Sequence, residues 1–252
     1  MWLEGALVVG FVVASLLALL AVRRRVPLEA LQEQHDVAAA CFAVIGGLCG
    51  IVVAFVMVSS WERFEEARER TEVEADALAD LYRHGAALPD PGGARLRELT
   101  LAYARSVVED EWPAMVEGQP SEKTYGIFRE LWRTLLATNA SEAKDVAVFQ
   151  NTLGKMDDLS DARRDRLTYA RVGLPWIVWA FLIGSGAVTV AFSYFFGLRQ
   201  IASQLIMTAA LALTIAAALL LIAAMQTPFT GAVQVPPHGF SRLLQSTHEE
   251  AR

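Results

Sequence analysis

Charge is missing from long stretches of this chain. Four blocks, residues 5–22, 37–60, 172–197 and 201–225, contain no Asp, Glu, Lys, Arg or His. Proton- or sodium-driven machines usually carry an ionisable residue at membrane depth, so this absence argues against a pump or a proton-driven stator. Cysteine is scarce. Cys41 and Cys49 both fall in the second block, and eight residues on one helix separate them by about 12 Å along the axis, beyond disulfide reach. They read as small apolar core residues. The four histidines, His35, His84, His238 and His248, are scattered and read as surface residues. No Cys/His spacing suits a metal, and GxSxG, GxxxxGKS/T and a strand-linked GxGxxG are all missing. The acidic pairs Glu109-Asp110-Glu111 and Asp157-Asp158 read as solvated surface. The chain is therefore expected to be no enzyme and to need no cofactor and no metal. A net charge of −6 also removes nucleic acid as a partner.

What is present is apolar length. The 252 residues are 54% hydrophobic, and mean hydropathy is +0.34. A hydrocarbon core of about 30 Å needs about 20 apolar helical residues, and each block has 18 or more. The first block lacks a basic flank before it and a small-residue cleavage site after it, so it reads as an uncleaved span rather than a signal peptide. The fold class expected is an all-α membrane protein: four transmembrane helices, with a helical extramembrane domain between the second and third. The divisions are 1–60 for the first two spans, 61–171 for the extramembrane domain, 172–225 for the last two spans and 226–252 for a C-terminal tail. Residues 26–36 read as a short linker.

The second span is expected to organise the rest. It runs into WERFEEARER with no Gly or Pro to stop a helix, which predicts one helix spanning the bilayer and continuing into water. Gly46, Gly50 and Ala54 form a small-xxx-small ridge suited to close helix packing. Beside them Gly47, Ile51, Phe55 and Ser59 recur every four residues, so they share one slowly winding face. Both stripes fit plain packing surfaces, and the second also fits a pore lining. Beyond Ser60 the helix is expected to continue to about residue 88, where Glu62, Glu65, Glu66, Glu69, Glu72 and Glu74 alternate with Arg63, Arg68 and Arg70 in a run that reads as a solvated face, and pairs such as Glu66 with Arg70 support it.

Further helices are predicted over 94–112, ended or kinked by Pro113, over 123–138, and from a Ser141 N-cap to about 171. Basic residues near the span ends number seven in the 61–171 segment (Arg63, Arg68, Arg70, Arg163, Arg164, Arg166, Arg171) against four on the other side (Arg23, Arg24, Arg25, Arg199). This places the segment in the cytoplasm.

Phe55 followed by Arg63-Phe64-Glu65-Glu66-Ala67-Arg68 resembles the bestrophin signature. Together with Tyr103-Ala104-Arg105, Glu109-Asp110-Glu111-Trp112-Pro113 and Pro228-Phe229-Thr230-Gly231, it makes the chain similar to the bacterial bestrophin-like family. That resemblance implies a homopentameric channel for small anions such as chloride in the bacterial inner membrane, with four spans per subunit. It also implies a hydrophobic neck lined by the second span, which register from Arg63 puts at Gly47, Ile51 and Phe55. Arg63 and Arg68 would then attract anions at the pore mouth. Gly47 is smaller than the bulky neck residue expected. Residues 230–234 lack the calcium-binding carboxylates of animal bestrophins, so no calcium gating is expected. The alternative is a non-conducting membrane scaffold or signalling protein whose long extramembrane helices bind a partner.

Overall fold

The computed structural model describes residues 2–33, 35–139, 142–230 and 233–250. Ser141, the expected helix cap, and Gly231 of the tail motif lie outside them. The described residues are helical throughout, joined by turns and short loops, and they divide into two compact units. An apolar unit comprises Met1–Glu62 with Leu174–Gln226, and a polar unit comprises Arg63–Gly173 with Thr227–Arg252.

The apolar unit contains α1 (Trp2–Arg25), α2 (Leu28–Glu33), the first half of α3 (His35–Gly85), α8 (Trp176–Ser193) and α9 (Ile201–Met225). Helices α1, α3, α8 and α9 are each long and apolar enough to cross a membrane. Their core joins Leu19 to Val190, Tyr194 and Ala212. Buried polar groups bond within it: the Gln204 amide donates to the Tyr194 carbonyl at 3.2 Å, and the Ser193 and Thr208 hydroxyls meet at 3.3 Å. Two details differ from expectation, the linker and the start of the third span. The stretch 26–36 holds the short helix α2 instead of plain linker, fixed when the Gln32 amide donates to the Gly197 carbonyl at 3.3 Å. Arg23, Arg24 and Arg25 form the last turn of α1, and Arg23 donates to the Leu198 carbonyl at 2.7 Å. The third span starts at Trp176 rather than 172, because Pro175 disfavours helix in the residue before it. Gly197 makes the hairpin with φ of +54° while its Cα faces Leu31, where a side chain's Cβ would sit 2.8 Å from that of Leu31.

The polar unit contains the second half of α3, α4 (Gly92–Ser106), α5 (Trp112–Val116), α6 (Glu122–Ala137), α7 (Ala143–Arg171) and α10 (His238–Glu250). Its core is built from Leu78, Leu81, Leu96, Tyr103, Leu131, Met156 and Phe240. The tail belongs to this unit, with Phe229 edge-on to Trp112 at 5.5 Å and Phe240 in the core. Pro113 does not end the preceding helix. Val107–Glu111 forms a π turn, closed by the Trp112 N–H on the Val107 carbonyl, and the chain stays helical to Val116. The wider turn keeps Val107, Glu111 and Met115, each four residues apart, on the buried side. The Ser121 hydroxyl caps α6 by accepting from the Thr124 N–H at 3.3 Å.

Candidate pore helix

Helix α3 is 51 residues long. Its stretch 37–60 has apolar, β-branched and small residues, which only a bilayer or other protein can solvate. The side facing its own protomer is narrow. Cys49 is 5% exposed, with its Sγ 3.6 Å from the Ser185 hydroxyl, and Ser60 bonds back to the Val56 carbonyl. Phe42 meets Phe196 edge-on at 5.2 Å. Cys41, read as a core residue, is instead exposed on the single chain.

The face carrying Gly47, Ile51, Phe55 and Ser59 is uncovered. Ile51 is 55% and Phe55 72% exposed, and a Cβ added at Gly47 would meet nothing within 4 Å. The small-residue ridge is divided. Gly46 lies toward α8, where an added Cβ would be 3.6 Å from Thr189 Cγ2, whereas Gly50 has open space and Ala54 is exposed. Of the three, Gly46 is the one turned toward α8.

Past Ser60 the charges sort differently from the expected pairs. Arg63 is half-buried, donates to the Val172 carbonyl at 2.5 Å and sits 5.8 Å over the Tyr169 ring. Arg68 is exposed and pairs with Glu65 at 3.3 Å. Glu66 and Arg70 do not pair with each other. Glu66 accepts from the Tyr169 hydroxyl at 2.8 Å, and Arg70 pairs with Asp165 at 3.3 Å across to α7. That hydrogen bond to Glu66, aided by partial burial, lifts the Tyr169 phenol above its ordinary range.

The sequence reading missed a buried ionic network farther along α3. Glu74, Glu111 and Arg166 are fully buried, although Glu74 and Glu111 had read as solvated surface. Arg166 grips Glu74 through two nitrogens at 2.5 and 3.0 Å and Glu111 at 2.7 Å, beneath the Trp112 ring. Arg163 adds a 2.5 Å bond to Glu111, and the Tyr103 hydroxyl donates to Glu74 at 2.6 Å. Burial, then the nearby Glu74 charge, pushes the Tyr103 phenol well above its usual range. Spacing had signalled the network: Thr71, Glu74, Leu78 and Leu81 fall on one buried α3 stripe, as do Met156, Leu159, Arg163 and Arg166 on α7. His84 is half-buried, with its Nδ1 3.4 Å from the Thr152 hydroxyl, while the other three histidines are exposed.

The profile of the Bestrophin-like domain matches residues 9–240. The fold is similar to that of a bacterial bestrophin homolog from Klebsiella pneumoniae, at 16% identity and a TM-score of 0.71, covering 96% of this chain and 97% of that one. A point variant of the homolog gives 14% identity and a TM-score of 0.73, covering 97% and 98%. A point variant of a protein described only as a membrane protein gives 15% and 0.72, covering 96% and 97%. No curated protein sequence matches the chain.

Proposed function

Because the chain belongs to the Bestrophin-like family, we propose that it forms an oligomeric channel, a homopentamer in the bacterial inner membrane, that passes small anions such as chloride. The α3 helices of the copies would surround one pore, with Gly47, Ile51, Phe55 and Ser59 facing it. The observation that carries this reading is the bare α3 face: a stripe with Phe55 at 72% exposure is left unpacked in the protomer of an all-helical membrane fold. A hydrophobic constriction of this kind gates by wetting and dewetting. Gly50, with open space beside it, and the exposed Ala54 would let a neighbouring subunit approach closely. Arg68 would supply positive charge beyond the neck, whereas Arg63 is held by Val172 and Tyr169 and acts mainly as a brace.

One observation favours a second reading, the same pore passing cations. Beyond Ser59, α3 exposes Glu62, Glu65 and Glu69, and Arg68 is offset by its pair with Glu65. The reversal potential of reconstituted channels under a chloride gradient separates the two. A shift toward the chloride equilibrium potential supports anion passage, and a shift toward the cation potential supports the second reading.

A further inference from the structure

The polar unit holds a cavity of about 460 Å³ between α6 and α7, within the range of about 300–1,000 Å³ typical of small-ligand sites. Phe128 and Trp132 of α6 give it apolar lining and Arg163, Arg164, Thr168 and Arg171 of α7 line it too, with the Arg163 guanidinium 5.5 Å over the Phe128 ring. Arg164, Thr168 and Arg171 recur at helical spacing and share one face, with Arg163 next to them on the buried side of α7. Three guanidinium groups line the cavity and no carboxylate does. Arg163 is 7% exposed and bonds Glu111 through one terminal nitrogen, and its buried Nε–H has no hydrogen-bond partner among the described residues. Such a donor on a charged group is costly to leave unpaired. Arg164 bonds only the exposed Asp161, at 2.5 Å, and Arg171 has no hydrogen-bond or ion-pair partner among the described residues. The guanidinium fork matches the oxygens of phosphate and carboxylate. Three forks lining one cavity offer more donors than a single carboxylate accepts, which favours the additional oxygens of a phosphate.

We propose that this cavity binds a phosphate group carried on a small organic body, with Arg163, Arg164 and Arg171 holding the phosphate and Trp132 and Phe128 flanking the remainder. Two sources have this chemistry, a free organic phosphate and the headgroup of an anionic phospholipid. The site does not depend on whether the chain conducts.

The test is native mass spectrometry of the delipidated full-length protein, incubated separately with phosphatidylglycerol and with glycerol phosphate. The expected result is that one probe binds the wild type and that its affinity falls about 10-fold or more in R164Q/R171Q. Both of these side chains are exposed, so their replacement leaves the buried Arg163–Glu111 pair in place. In R95Q/R105Q, which removes two exposed charges from α4, affinity stays at the wild-type level. Binding of phosphatidylglycerol alone assigns the lipid source, and binding of glycerol phosphate assigns the free one. The proposal is overturned if neither probe binds, or if both double variants weaken binding equally. It is also overturned if R164Q/R171Q dissociates the oligomer with probe binding unchanged, which would make the cavity a subunit contact.

Discussion

Arg166 shows how one residue can fix a unit. Two carboxylates, at 2.5–3.0 Å, neutralise a guanidinium with no solvent exposure. Burial alone would lower its pKa, but Glu74 and then Glu111 hold it well above its already high ordinary value. Removing one partner of such a set strands the others in a low-dielectric interior. Arg166→Met is therefore expected to lower stability by about 3–5 kcal/mol, read by denaturant unfolding in detergent. Arg68→Gln, which breaks only an exposed pair, should change stability by less than about 1 kcal/mol. Tyr103 adds a pH dependence. Its folded pKa is raised, so its contribution is fully present below the unfolded value of about 10 and is lost as pH rises beyond it. Thermal unfolding between pH 8 and 11 should show a fall above about pH 10 that is smaller in Tyr103→Phe.

At the scale of elements, α4 is pinned against the end of α3. A Cβ on Gly93 would run into the Gly85 carbonyl oxygen at the end of α3 and lie 2.6 Å from that of Leu88, and both are backbone that cannot swing aside. Gly93→Ala should therefore cost about 1–3 kcal/mol by overpacking, whereas Gly154→Ala, with open space, should not destabilise α7. Thermal melts of the two variants check this contrast. The four membrane helices were legible because their apolar blocks are uninterrupted, and α3 was legible through Gly85 because nothing in WERFEEARER stops a helix. The π turn before Pro113 was not, since its i to i+5 bonding leaves no mark in composition. The six-residue helix α2 was also missed, being too short for a periodic signal. Glu74 was misread for another reason. It sits at the buried spacing of Thr71, Leu78 and Leu81, but its position in a run of acids and arginines suggested solvent. The α3 stripe was visible as a period of four, yet what it faces depends on neighbouring copies, which one chain's sequence does not specify.

At the scale of the whole molecule, the exposed apolar faces of the candidate membrane helices leave room for both lipid and other copies. Five copies around the α3 stripe are expected, and mass photometry of the purified protein should give five times 27.5 kDa plus the detergent shell. A monomer or dimer would favour the scaffold reading. The most direct test of the central claim is chloride efflux from liposomes containing the wild type or Phe55→Ala. The proposed pore predicts efflux by the wild type and an altered rate or selectivity in the variant, because a large apolar side chain is removed from the constriction. Efflux that is identical in a correctly assembled Phe55→Ala protein would contradict the placement of α3 at the pore.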